Sequence, residues 1–167
     1  MQPWSREFTG RLDELEIESE ALRGNALGDP HVRPLWVYTP PGYDDEPERR
    51  YPCVFVIQGL TGQLDMWRNR EPFRPNYPEM VDELFAGGEA PPTLVAFVDC
   101  WTSLGGSQFL NSPGTGRYQD FLCDEAVAFV RAGAPLGLHP LIGGLPPEIA
   151  WRYLRVVDEQ VMPALRG

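Results

Sequence analysis

The sequence predicts an α/β fold of about four strands, an antiparallel first hairpin and then central strands, with flanking helices and an extra C-terminal helix. Two observations carry this prediction. The runs CVFVI (Cys53–Ile57) and TLVAFVD (Thr93–Asp99) are apolar at consecutive positions, the pattern of strands covered on both faces. The segments between and after them place apolar residues at helical spacing and close on glycine, so helices supply that cover.

The elements follow in order. LEIESEAL (Leu15–Leu22) alternates apolar and acidic residues with the period of a half-exposed strand, and PLWVYTP (Pro34–Pro40) reads as its antiparallel partner. RGNALGDPHVR between them is rich in turn formers, and PPGYDDEPERRYP after them is a polar, proline-bounded loop. In YPEMVDELFAGG, Met80, Val81, Leu84 and Phe85 define a helical stripe that stops at Gly87–Gly88. CWTSLGGSQFLNSPGTGR favours turns over regular structure, and YQDFLCDEAVAFVRAG sets Phe121, Leu122, Ala126, Phe129 and Val130 on one broad helical face. APLGLHPLIGGLPP is a proline- and glycine-rich connector. It leads to a last helix with Ile149, Tyr153, Val156, Val157 and Val161 as its apolar stripe, ended or kinked at Pro163.

At 167 residues the chain is long enough for one domain with a sizeable core. A formal net charge of −10 argues against nucleic acid as a partner. The absence of lysine removes phosphate-loop lysines, Schiff-base lysines and Ser-Lys dyads from the available mechanisms. Cys53, Cys100 and Cys123 sit in apolar surroundings without CxxC spacing, so they read as reduced, buried thiols rather than disulfides or zinc ligands. No window has the length and apolarity of a membrane span, and the N-terminus has no apolar leader core, so the expected location is cytoplasmic. No motif calls for a metal or another cofactor.

The stretch that raises a chemical question is CVFVIQGLTGQ, a buried strand opening abruptly into the glycine-hinged loop Gln58, Gly59, Leu60, Thr61. Such a loop can aim backbone N–H groups at an anion, or it can be a plain strand-to-helix turn. Other candidates are weaker. Ser107 in GGSQF lacks the closing glycine of a nucleophile elbow. His31 falls in the hairpin turn and His139 in the connector, and both read as structural or surface histidines. Cys100 and Cys123 have acidic neighbours, which disfavour a thiolate. Asp99 ends a central strand and reads as a loop cap, while Asp44–Glu48 lacks the spacing of a calcium loop. Trp101, Phe109 and Tyr118 are either aromatics of an acyl pocket or anchors of the long loop.

The order LWVYTPPGYD, YPCVFVIQGLTG, VAFVDCWTSLGGSQFLNSPGTGRYQDFLCDEAVAFV resembles the N-terminal half of a serine esterase family of α/β-hydrolases. This family includes S-formylglutathione hydrolases and mycolyltransferases. The resemblance covers roughly residues 11–131 and implies a truncated α/β-hydrolase with strand order 1-2-4-3, acting on an ester or thioester small molecule. It also implies that the Gln58–Thr61 loop supplies an oxyanion-hole donor, the backbone N–H of Leu60.

The nucleophile elbow G-x-S-x-G and the acid and histidine that should follow it are missing, so no catalytic side chain is identified. From His139 onward the sequence instead resembles the C-terminal tail of luciferase-like monooxygenases, without the barrel that would hold a flavin. The expected organisation is an esterase-like half over 1–133 joined by deletion or fusion to a segment of different origin over 134–167. The expected chain is catalytically incomplete. An alternative is a non-enzymatic module that pairs with itself or with a complementing chain through the bare apolar edge of CVFVI.

Overall fold

In the computed structural model, residues 6–133 and 136–137 are described. One mixed sheet holds β1 (Arg11–Glu18), β2 (Val32–Thr39), β3 (Tyr51–Val56), β4 (Leu94–Val98) and the short β9 (Leu136–Gly137), in the order β1-β2-β4-β3-β9. β1 and β2 are antiparallel with Leu15 opposite Leu35, β2 and β4 are antiparallel, and β4 and β3 run parallel with Val54 opposite Val95. Helix α1 (Tyr77–Ala86) follows β3. After β4 come two small hairpins, β5 (Trp101–Thr102) with β6 (Gly105–Gly106), and β7 (Asn111–Ser112) with β8 (Gly116–Arg117). The chain then turns helical as α2 (Tyr118–Asp120), a π-helical stretch (Phe121–Ala126) and α3 (Val127–Gly133). Among the described residues no helix is long and apolar enough to cross a membrane.

The doubly apolar strands dictate the layers. Leu94, Ala96 and Val98 of β4 pack with Leu35, Val37, Tyr118, Phe121, Ala126 and Val130 on one face. Val95 and Phe97 pack with Trp36, Tyr38, Val56 and Val81 on the other. Strand alternation thus feeds two separate cores from one strand. The expected four-strand order is observed, and two of the expected details change.

The first strand ends at Glu18, not Leu22. Ser19 N still donates to His31 O at 2.9 Å in register, but the Ser19 hydroxyl caps Leu22 N at 3.1 Å and bonds Glu125, which turns the chain out of the strand. β3 also starts two residues before CVFVI, at Tyr51, and β9, within the segment expected to be only a connector, pairs in parallel with Tyr51 and Pro52, so that Cys53–Val56 have no strand partner on that side among the described residues. The last helix expected from the sequence, with its apolar stripe and Pro163, lies outside the described residues.

Both helical faces also differ from a simple 3.6-residue reading. In α1, Met80 and Leu84 are 52% and 40% exposed, whereas Glu79 and Asp82 are buried. Two polar anchors cause this rotation. A capping box links Asn76 and Glu79 in both directions, at 3.0 and 2.9 Å. The Asp82 carboxylate accepts from Thr9 N at 3.0 Å, Gly10 N at 2.8 Å and the Tyr38 hydroxyl at 2.8 Å. In the later helix, Phe121 and Ala126 are both fully buried although five residues apart. Regular α-helix would turn them about 140° from each other, and the π-helical stretch brings them to one side.

Asp82 therefore holds the N-terminal approach, β2 and α1 together through one side chain. Asp82→Ala strands three donors at once and is expected to lower the unfolding free energy by about 3 kcal/mol, measured by urea denaturation. A loss below about 0.5 kcal/mol would show that those donors find other partners.

Candidate functional site

β3 and β4 end side by side, and the loops after them frame a crevice. Gln58, two residues past β3, is only 2% exposed because its side chain turns inward. Oriented by its hydrogen-bond network, its carboxamide donates to Val98 O at 2.9 Å and accepts from Cys100 N at 3.2 Å. This stitches the exit of β3 to the exit of β4. A tight turn follows, closed by Gly62 N donating to Gly59 O at 3.0 Å.

Leu60 sits at the tip of this turn with its side chain 61% exposed. Its carbonyl accepts from Gly106 N at 2.8 Å. Among the described residues its N–H donates to nothing, and neither does that of Thr61. A trans peptide holds N–H and C=O antiparallel, so the bond at Gly59 O also fixes the direction of the Leu60 N–H. A short 3-10 helix, Leu64–Arg68, carries the chain away.

Two adjoining hollows lie here, of about 370 and 600 Å³, and they share Gln63 and Asp65. Gly59, Thr61 and Asn69 line the smaller one. Trp36, Trp101, Arg33, Asp99 and Arg68 line the larger. The position, beyond the carboxyl ends of parallel strands, is where open α/β sheets place their ligands.

Electrostatically the crevice is dominated by a buried pair. Arg33 and Asp99 form an ion pair with side chains 7% and 10% exposed. Arg33 also donates to Pro30 O at 3.3 Å and to Trp101 O, while its Nε has no partner among the described residues. Burial raises the Asp99 pKa, and the charge of Arg33 and the Trp101 N–H only partly offset that. Arg68 lies 3.8 Å over the Trp36 ring and bonds Glu14 at 2.7 Å, which closes one wall.

The other sequence candidates are spread apart. Ser107 is buried within its hairpin, where its hydroxyl accepts from Phe109 N at 3.3 Å and its own N–H donates to Cys100 O at 3.1 Å. His31 meets Arg23 at 2.9 Å and Glu18 at 3.6 Å in the hairpin turn, far along the chain from the strand exits. His139 lies outside the described residues. Cys53 and Cys100 are buried, and burial pushes both thiols up to about 12.

Cys123 departs from the expectation of a buried thiol. It is exposed within the π-helical stretch, although what burial it has, followed by Asp124 and Asp120, raises its pKa. Of the three aromatics, Trp101 lines the crevice, Phe109 packs on the core and Tyr118 is fully buried in it. Asp44–Glu48 lies in an exposed loop where Asp44 pairs with Arg11. Among the described residues no group of three His, Cys, Asp or Glu side chains could hold a metal ion.

The contribution of sequence reasoning at this site is the Gln58–Thr61 loop. It missed Arg33 as the partner of Asp99, because that pairing joins residues 66 positions apart.

The pair sets a pH dependence. A carboxyl whose folded pKa is raised favours the folded state below its unfolded pKa and loses that contribution as pH rises through the folded value. Arg33→Met removes the opposing charge and raises Asp99 further. The variant is expected to lose about 3–5 kcal/mol of unfolding free energy at pH 8. The loss should shrink as pH falls, since lower pH favours the protonated carboxyl. Equal losses at pH 8 and pH 5 in urea titrations would exclude this coupling.

No protein-family model matches the chain, and no curated protein sequence matches it. Solved structures do. A ferulic acid esterase superposes with a TM-score of 0.58 at 18% identity, over 78% of this chain and 46% of that one. A ferulic acid esterase from Anaeromyces mucronatus gives 0.52 at 14%, over 82% and 47%. An S-formylglutathione hydrolase from Agrobacterium tumefaciens gives 0.50 at 16%, over 80% and 47%. The chain spans just under half the length of each of these structures. It therefore has a partial α/β-hydrolase fold of the kind found in these esterases.

Proposed function

We propose that this chain carries one half of an ester- or thioester-hydrolase site: the oxyanion loop without the nucleophile. The observation that supports this reading is the Leu60 peptide, pinned on both sides yet with an uncommitted N–H, between Gly59 and Thr61, which line the smaller hollow at the strand exits. In acyl transfer the carbonyl oxygen of the substrate gathers negative charge as the tetrahedral intermediate forms. A donor fixed in advance stabilises that charge without reorganising, typically by about 3 kcal/mol. The sequence contains no G-x-S-x-G, and Ser107 is committed to its own hairpin with no histidine beside it among the described residues. In this reading residues 1–133 are the esterase-like half, and 134–167 have a different origin.

Chain-catalysed hydrolysis of p-nitrophenyl acetate is expected to be indistinguishable from that of a denatured-protein control. Turnover abolished by a serine-directed phosphonate, with one serine labelled in the mass spectrum, would overturn the proposal.

A second reading rests on β3. Its outer side has a strand partner only at Tyr51 and Pro52 among the described residues, which leaves Cys53–Val56 without one there. Such an edge is a template for pairing with a second copy or a complementing chain. Sedimentation over a hundredfold range of concentration is expected to show mass increasing with concentration, whereas a monomer throughout would remove self-pairing.

A further inference from the structure

We propose that the Gly105–Gly106 turn is the positioning element of the Leu60 loop, a role that rests on the oxyanion-loop reading. In sequence this glycine pair resembled a failed nucleophile elbow around Ser107. In the fold it touches a different part of the chain. Gly106 N donates to Leu60 O at 2.8 Å, and a Cβ on Gly106 would lie 2.9 Å from that oxygen, 3.1 Å from Leu60 Cα and 3.2 Å from Leu60 C. The neighbouring backbone leaves no room for any side chain at this position. Gly105 supplies the bend, with φ at 109°, a conformation suited to glycine.

The turn is itself braced. Thr102 Oγ1 donates to Gly105 O at 2.7 Å and accepts from Leu104 N at 3.1 Å. Ser107 N donates to Cys100 O at 3.1 Å, and Cys100 N in turn donates to the Gln58 carboxamide. The bonds form a closed circuit: Gln58 side chain to Cys100, Cys100 to Ser107, Gly106 to Leu60, and Leu60 back along two residues to Gln58. Gly59 O is held by Gly62 N and Leu60 O by Gly106 N, so the peptide units on both sides of Leu60 are fixed. The bond at Gly59 O sets the direction of the Leu60 N–H, and the turn, by holding the next peptide at Leu60 O, anchors the residue that carries this donor without touching the reacting group.

The test uses the full chain labelled with 15N and 13C. A scalar coupling across the hydrogen bond between Gly106 N and Leu60 C′ is expected in the wild type. Titration with methylphosphonate, whose tetrahedral oxygens mimic the oxyanion, should move the Leu60 amide proton saturably. Gly106→Ala and Thr102→Val should each weaken that response about tenfold and displace the Leu60 amide signal, with the Leu94 and Ala96 core signals unchanged, and Thr102→Ser should restore it. If Gly106→Ala does not fold, Thr102→Val decides, since it adds no atom beside Leu60.

Variants that respond as the wild type does, or a wild type without the coupling, would overturn the positioning role alone. A wild type with the coupling but no response at Leu60 would overturn the oxyanion reading and, with it, the role built upon that reading.

Discussion

The parallel pairing of β3 with β4 is the constraint from which the other features follow. Both strands are apolar at consecutive positions, so each face needs cover, and the helices before and after β4 supply it from opposite sides. Parallel strands also end at the same edge. The loops after Val56 and after Val98 must therefore leave the sheet together, and their backbone polar groups need partners where the ladder stops. Gln58 supplies them, with one carboxamide bonding both Val98 O and Cys100 N. The candidate site is thus a consequence of how this edge is finished.

The character of the crevice fits the charge of the chain. With a net charge of −10, and with Asp65, Asp99 and Glu14 lining the crevice, an anion receives little help from its surroundings. The two arginines there are already engaged, Arg33 with Asp99 and Arg68 with Glu14. The donor left uncommitted is neutral backbone. A fixed backbone N–H stabilises the negative charge that a tetrahedral oxyanion gathers, the charge of an acyl transition state.

What was legible in the sequence is what depends on local pattern. Cys53–Ile57 and Thr93–Asp99 announce central strands through uninterrupted apolar character, and Gln58–Gly62 announces a special loop through its glycines. What was hidden depends on long-range bonds. Asp82 rotates α1 because its partners are Thr9, Gly10 and Tyr38, none of them near it in sequence. Cys123 is exposed although Phe121 and Leu122 before it are apolar, because apolar neighbours do not fix which side of a helix a residue faces. Gly106 matters through a backbone contact with Leu60, across a separation that no local motif spans.

Under the proposed reading, these long-range bonds explain how the Leu60 loop can be kept without catalysis. The circuit joining Gln58, Cys100, Ser107, Gly106 and Leu60 satisfies backbone groups at the exits of two buried strands, and each unmade bond there would cost about 1–3 kcal/mol in stability. The loop is therefore held in its geometry by the needs of folding, whether or not a nucleophile faces it. A nucleophile has no such support: a reactive hydroxyl next to a base contributes little to stability and is retained only for chemistry. In the proposed reading, the donor is therefore kept where the nucleophile is not. The shape of the Leu60 loop is accordingly set by how this sheet edge is built.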